Sequence, residues 1–364
     1  MNTNKKKVVI GMSGGVDSSV AAALLKEQGY EVIGLTMRLW DGEKINGELA
    51  EGPCCSHSAA RDAKYVCYKL GIEHYVLDFR RDFEHSVIDY FVNEYKSGRT
   101  PNPCIACNKF LKFDAMLKKA ELLGAEYVAT GHYAKIEYDE KSGRYLLKRA
   151  RAERKDQTYA LYSLSQEQLK RTLMPLGVLD DKSETRAIAE KLDLITAKKP
   201  DSMEICFVPD KDYAGFIERR TGETEKEGLF VDRNGNVLGK HKGIIHYTVG
   251  QRKGLGIAFG KPMFVTEIDA ANNKVVLGES GEEFSSELVA GKLNFIPYDK
   301  PEAPIRVGAK VRYSAKEAAA TVEMLENGKA RVRFDKPQRA VTPGQAVVFY
   351  EPDGDLVIGG GIIE

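Results

Sequence analysis

The 364 residues predict an α/β fold: a doubly wound, mostly parallel sheet, followed by a small central domain and a C-terminal antiparallel β-barrel. Three observations predict it. Up to Thr130, short apolar runs alternate with stretches of helical periodicity, the pattern of strands crossed over by helices. From about Asp212 to Glu279 the chain becomes glycine-rich and loses that alternation. Beyond about Ser280, short alternating runs return with turn residues between them, the pattern of a small barrel. The domain boundaries this gives are 1–210, 211–280 and 281–364.

Residues 7–12 form a short apolar run that reads as a buried strand, and from Val16 onward Val20, Ala23, Leu24 and Leu25 recur at helical spacing. Between them stands Ser13-Gly14-Gly15-Val16-Asp17-Ser18-Ser19. Gly14 and Gly15 open backbone angles closed to other residues, and the N–H groups at the helix start, with the macrodipole behind them, seat an anion. The hydroxyls of Ser13, Ser18 and Ser19 add donors. Asp17 is odd in a pure anion site and makes sense if Mg²⁺ accompanies bound phosphates. This is neither the Walker loop, whose spacing and lysine are absent, nor G-x-G-x-x-G. The rival reading, an ordinary capped helix, needs seven consecutive residues to match by accident.

The remaining elements follow in order. A second buried strand over 32–37 puts Met37 near its carboxyl end, where ligands lie in open α/β sheets, although methionine is more often core filler. Residues 40–55 read as a loop and 56–70 as a helix with Cys67 on its buried face. Cys54, Cys55 and His57 read as a tight turn into that helix, because adjacent cysteines do not easily ligate one metal. A strand over 74–77 and a helix over 83–95 come next. In 98–108 two prolines one residue apart exclude a helix, which resumes at Phe110 with Asn108 as its cap. A fourth strand over 127–130 ends on Gly131-His132-Tyr133. A hairpin over 136–147 turns at Lys141-Ser142-Gly143, and helices are expected over 165–171 and 183–192. In the barrel, strands are expected at 310–313, 320–325, 330–334 and 346–350.

Composition narrows the class. With 43% hydrophobic and 29% charged residues, no apolar run near the roughly 20 residues of a membrane helix, and a polar start leading straight into a strand, a cytoplasmic globular protein is expected. Six cysteines in so long a chain suggest metal or catalysis rather than a disulfide scaffold. The net charge is +1, yet basic residues crowd at 148–155, at 240–242 with Arg252 and Lys253, and at Arg306, Lys310, Arg312, Lys316, Arg331 and Arg333. These are either solvated faces or patches for a large polyanion, and charge alone leaves both open.

Cys107 lies beside Asn108 at an expected helix start, with Arg99, Lys109 and Lys112 near in sequence. Helix dipole and cations both favour a thiolate. Cys206 stands in a turn-rich stretch beside Lys198 and Lys199. Two such cysteines suit a sulfur-transfer pair. The alternative is metal, with Cys104-x-x-Cys107 and Cys206 as ligands, and a third reading leaves all three inert.

The seven-residue loop resembles the PP-loop of the ATP pyrophosphatases (adenine nucleotide α hydrolase-like fold). Together with G-R-T-P-N-P-x-x-x-C-N, A-T-G-H-Y, K-D-Q, D-S-M-E-I-C-F, G-Q-R-K-G-L, T-P-G-Q-A-V-V-F-Y and G-G-G-I-I-E, in this order from Lys7 to Glu364, it resembles the bacterial tRNA-specific 2-thiouridylases. That resemblance implies a sulfurtransferase: ATP adenylates O2 of the wobble uridine, and persulfide sulfur displaces AMP. Position by position it implies ATP binding by Gly11, Met12, Ser13, Gly14, Gly15, Val16, Asp17, Ser18, Met37 and Gly131, and target-base contact by Asn102, Pro103 and Cys104. Cys107 would be the nucleophile, Cys206 the persulfide carrier, and His132, Lys155, Asp156, Gln157, Arg312, Tyr313 and Gln345 tRNA contacts. The implied partners are ATP with Mg²⁺, tRNAs for Lys, Glu and Gln, and a cysteine desulfurase or sulfur-relay protein. Many family members carry an acidic residue where this chain has Cys104, so an iron–sulfur cluster on Cys104, Cys107 and Cys206 stands beside the persulfide relay.

Overall fold

The computed structural model describes residues 5–45, 48–50, 57–201, 205–257 and 260–364. Cys54 and Cys55 lie outside the described residues, as do Ser202, Met203 and Glu204. The chain divides into two compact units that interleave in sequence. The first comprises residues up to Val87, Cys104–Lys211 and Asp355–Val357; the second comprises Ile88–Pro103, Asp212–Gly354 and Ile358–Glu364.

The first unit is built on five parallel strands: β1 (Lys7–Gly11), β2 (Glu31–Arg38), β3 (Glu73–Asp78), β4 (Tyr127–Ala129) and β5 (Thr172–Leu173), in the order β3-β2-β1-β4-β5. Strand β1 is central, and Val8, Val9 and Ile10 are wholly buried, which explains its unbroken apolar sequence. Val20, Ala21 and Leu25 of helix α1 (Val16–Glu27) and Ala63, Val66 and Cys67 of helix α2 (His57–Leu70) complete one continuous core. Burial pushes the Cys67 thiol up to about 12, so it is an inert core residue. The chain runs outward from β1 to β2 and β3, then crosses back to β4 on the other flank of β1. That reversal opens a crevice at the carboxyl ends of β1 and β4, the position where open α/β sheets bind ligands.

Three local expectations change. A short antiparallel pair, Glu43–Ile45 with Glu48–Ala50, occupies part of the stretch read as a loop. The helix read as resuming at Phe110 begins at Pro103. Proline is tolerated in the first helical turn, where its missing N–H has no intrahelical partner to lose. The run then widens to π-type turns over Cys107–Ala115. Asn108 is therefore no cap: it is buried inside the helical run, and its Nδ2 donates to the Ala160 carbonyl at 3.0 Å. Strand β5, two residues long, is too short to announce itself by periodicity.

In the second unit Phe91 and Tyr95 of the helix Asp89–Lys96 pack on Tyr213 and, for Phe91, on Phe216 of the helix Tyr213–Thr221. A four-stranded sheet follows, ordered Val237–His241, Gly228–Val231, Lys274–Glu279, Met263–Asp269. Six strands then close into the expected barrel, ordered Phe284–Phe295, Ala330–Arg339, Ala318–Met324, Ile305–Lys310, Ala346–Tyr350, Val357–Ile363. The strand expected at 310–313 is in fact Ile305–Lys310, because inward Val307 and Ala309 set the buried alternation and the strand ends before Arg312 and Tyr313. Among the described residues no helix is long and apolar enough to cross a membrane.

Candidate active site

The turn after β1 is shaped by contacts a side chain would break. Gly14 has φ of +70°, and a Cβ there would lie 2.2 Å from the Ala59 carbonyl oxygen at the start of α2. A small hydroxyl network holds the rest: Ser13 N donates to Ser18 Oγ at 3.2 Å, the two serine hydroxyls lie 3.1 Å apart, and Ser18 Oγ donates to Gly15 O at 3.2 Å. Ser19, expected to serve a bound anion, is instead structural. Its buried hydroxyl donates to Gly15 O at 2.8 Å and accepts from Thr196 at 3.1 Å. From β2, the Thr36 hydroxyl donates to Met12 O at 2.9 Å and sits 2.9 Å from His74 Nε2, fixing where the turn leaves the sheet.

A cleft of about 200 Å³ opens at the carboxyl ends of β1 and β4. Of the expected ATP residues, Gly11, Met12, Ser13, Asp17, Ser18, Met37 and Gly131 line it. Gly15 stands as the extended residue before α1, while Val16 is buried in the core. Leu35, Leu39 and Met116 add an apolar wall of the kind a purine ring requires. Gly131 is a close-approach glycine, since its Cβ would fall 2.7 Å from the Asp17 carbonyl carbon and the Ser18 nitrogen. Two expected tRNA contacts, His132 and Gln157, line the same cleft. Burial, reinforced by the Lys112 charge, holds His132 well below its usual pKa, so it is neutral, and its Nδ1 lies 2.7 Å from Thr130 Oγ1. Gln157 accepts from Tyr133 N at 3.0 Å.

Asp17 opens a chain of alternating charges. Its Oδ1 accepts from Lys182 Nζ at 2.6 Å and from the Tyr133 hydroxyl at 3.0 Å. Lys182 also bridges to Asp201 Oδ1 at 2.9 Å, and Asp201 Oδ2 accepts from Lys155 at 2.8 Å. Burial alone would raise the Asp201 carboxyl, but the hydrogen bonds from Lys155 and Lys182 outweigh it and hold the pKa at about 2. On the other side of the turn, Lys199 Nζ donates to Gly14 O at 2.9 Å and to Asp62 at 2.8 Å. Of Lys155-Asp156-Gln157, the first joins this charge chain and the last lines the cleft. The middle carboxylate is structural: Asp156 Oδ1 accepts from Ala150 N at 3.0 Å.

Cys107 is buried, Cys104 exposed and Cys206 half-buried. The short helix Arg80–Phe83 packs on the Cys107–Ala115 segment, and Phe83 also meets Phe207 edge-on at 5.6 Å. The segments carrying Cys107 and Cys206 thus share a neighbour. Cys107 sits one turn inside its helix, which weakens the dipole argument made for it. Among the described residues no three His, Cys, Asp or Glu side chains gather into a group that could hold a metal, Cys104, Cys107 and Cys206 included. For Mg²⁺ brought in with a nucleotide, Asp17 and the Ser13 and Ser18 hydroxyls supply hard oxygen donors on the cleft wall.

In the second unit, Asn102 is half-buried and Pro103 buried, while Gln345 donates both amide hydrogens to loop carbonyls, Thr100 O at 2.9 Å and Pro101 O at 3.2 Å. Tyr313 is 50% exposed, with Lys310 Nζ 5.9 Å from its ring centre, and Arg312 donates to Arg339 O at 3.1 Å.

Residues 6–210 match the family described as tRNA methyl transferase HUP domain, residues 214–279 its PRC-barrel domain, and residues 285–363 the aminomethyltransferase beta-barrel domain. Among curated relatives, the tRNA-specific 2-thiouridylase MnmA of Acetivibrio thermocellus is 63% identical, covering 99% of this chain and 100% of that protein. The chain belongs to the tRNA-specific 2-thiouridylase family. The Clostridioides difficile member is 57% identical over 99% of this chain and 98% of its own length, and that of Clostridium acetobutylicum 58% over 99% of both.

For this 2-thiouridylase family member, sequence reasoning missed the apolar cleft wall, Thr130 and the Lys182–Asp201 bridge, and named Lys112 only as a cation near Cys107, not as part of the cleft. Lys182 lies in the stretch Asp181-Lys182-Ser183-Glu184, read only as a helix start. Asp181 is indeed the cap, accepting from Ser183 N and Glu184 N, and the signal that could have singled out Lys182 is a lysine in the first turn, where the helix dipole disfavours a cation.

Proposed function

We propose that the protein is an ATP-dependent tRNA sulfurtransferase that converts the wobble uridine to 2-thiouridine. The observation that carries the reading is the cleft, which gathers the PP-loop residues, Met37 and Gly131 at the topological switch of the sheet. The relatives' printed name supplies the substrate class. The matched family descriptions speak of methyl transfer, the relatives' names of thiolation; a PP-loop and two cysteines suit the second chemistry.

In this reading the purine packs on Met12, Leu35, Met37 and Met116 while the loop N–H groups and the Ser13 and Ser18 hydroxyls hold the phosphates. Magnesium bound with the nucleotide would offset phosphate charge beside Asp17. Uracil O2 attacks the α-phosphorus and pyrophosphate leaves, making O2 a leaving group. The terminal sulfur of a Cys206 persulfide attacks C2, and AMP departs with O2. The Cys107 thiolate then attacks Cys206 Sγ, the sulfur–sulfur bond breaks, sulfur remains on C2, and a Cys107–Cys206 disulfide is left for a dithiol donor to reduce. Cys104 takes no step. The persulfide comes from a cysteine desulfurase or relay protein, and the tRNAs are those for Lys, Glu and Gln. We further assign catalysis to 1–210 and RNA grip to 281–364, with 211–280 between them.

The test is nucleoside analysis of tRNA after incubation with the protein, ATP and a persulfide source. 2-Thiouridine at the wobble position, with pyrophosphate release that needs tRNA, is expected. Pyrophosphate release driven by an amino acid instead of tRNA overturns the reading in favour of an adenylating synthetase.

A further inference from the structure

The loop 99–103 is held from a distance of more than two hundred residues in sequence. Thr100 N donates to Pro343 O at 2.8 Å, and Gln345 Nε2 donates to the carbonyls of Thr100 and Pro101. Arg99 donates through NH2 to Ile363 O at 3.1 Å and pairs through Nε with Glu94 at 2.8 Å. The Thr100 and Thr248 hydroxyls lie 3.3 Å apart. The turn that reaches the loop is itself fixed. Gly344 N donates to Ile363 O at 2.9 Å, Ile363 N to Gln345 O at 2.8 Å, and the buried Thr342 hydroxyl to Ala340 O at 2.9 Å. Gly344 has φ of +90°, and a Cβ there would stand 2.9 Å from the Thr100 backbone, so the turn presses directly on the loop.

A side-chain amide has two N–H donors and one carbonyl acceptor. Both donors of Gln345 are spent on loop carbonyls, which leaves only its Oε1 for any nucleotide. Loop carbonyls flanked by proline have few alternatives, because Pro101 and Pro103 offer no N–H to pair with them. The loop contains Asn102 and runs on in sequence into Cys104 and Cys107.

We propose that the turn 342–345 is a clamp, with Gln345 as a positioning residue that sets the conformation of loop 99–103 before RNA arrives. The role in catalysis rests on the proposed thiolation, in which this loop meets the target base; the clamp itself does not. Its consequence is that the end of the chain acts on the reaction rate through the loop, with only Gln345 Oε1 left for RNA.

The test uses the full chain as Gln345→Ala and as Gln345→Met, which keeps similar bulk without a donor. Hydrogen exchange is read first on the RNA-free protein. Exchange at Arg99, Thr100 and Asn102 is expected to rise roughly tenfold in both variants, with the rest of the chain unchanged, for the loss of two hydrogen bonds. Dissociation constants for tRNA should stay within about threefold, while single-turnover 2-thiouridine formation falls roughly tenfold or more, as misplacement of a reacting group does. Unaltered loop exchange overturns the clamp, and weakened tRNA binding with unaltered exchange would make Gln345 a plain RNA contact. Faster loop exchange with an unchanged thiolation rate overturns the positioning role. If Gln345→Ala exchanges faster throughout, the methionine variant decides by the same readings. Should the parent protein form no 2-thiouridine, the proposed function fails while the exchange result still decides the clamp.

Discussion

Asp17 enters the site already engaged, by Lys182 at 2.6 Å and Tyr133 at 3.0 Å. Replacing it does two things: it removes a carboxylate from the cleft wall, and it leaves Lys182 with Asp201 and the Tyr133 ring. Asp17→Ala is therefore expected to abolish tRNA-dependent pyrophosphate release while tRNA affinity stays within about twofold, and normal pyrophosphate release would sink the assignment of the loop to ATP. Asp201 permits a prediction from pH. Its folded pKa of about 2 is below the ordinary carboxylate value, so the charged pair with Lys155 and Lys182 contributes stability above pH 4 and loses it as pH falls from about 4 toward 2. Asp201→Asn should cost about 2 kcal/mol at neutral pH by denaturant unfolding, and the gap between parent and variant should close on acidification. A gap independent of pH would mean that the charge chain does not stabilise the fold.

The elements show why some of the site is legible in sequence and some is not. The strand–turn–helix at 7–27 is readable because glycine, apolar run and helical spacing all act locally, and Met37 follows from the rule that ligands sit at strand carboxyl ends, whereas Gly131 is reached through the family resemblance. The helix start at Pro103 is misread because proline excludes helix interiors but not first turns. Lys182, Asp201 and the Gln345 contacts are invisible for a different reason: each pairs residues far apart in the chain, and no local pattern encodes a partner. Gly131 tests the packing of two elements. Gly131→Ala would put a methyl group 2.7 Å from the backbone of Asp17 and Ser18, so β4 or α1 must shift. We expect a loss of about 1–3 kcal/mol in stability and clearly weaker ATP binding, measured by unfolding and by nucleotide titration. Parental values in both would show that the close approach has no role.

At the scale of the molecule, the interleaving of the units changes how RNA binding must be tested. A chain ending near Pro209 would strip Phe91 and Tyr95 of Tyr213 and Phe216, so its loss of affinity would report a damaged helix as much as a missing RNA surface. Point variants in the full chain avoid this. The basic clusters are also less available than their sequence suggests: Arg306 pairs bidentately with Asp335, Lys148 with Glu137, and Lys155 with Asp201. What the barrel presents instead is Tyr313, half exposed beyond the end of Ile305–Lys310, with Arg312 beside it, a combination suited to stacking a base and meeting a phosphate. Arg312→Ala should weaken tRNA binding and lower the salt dependence of log Kd by about one phosphate contact. Tyr313→Ala should weaken binding by about 1–3 kcal/mol with the salt slope unchanged, since stacking releases no counterions. In both variants pyrophosphate release at saturating tRNA should match the parent, because the cleft is lined by residues of the first unit. Unchanged affinity in both would remove this end of the barrel from the RNA surface, and a fall in pyrophosphate release at saturation would place these residues in the chemistry instead of the grip.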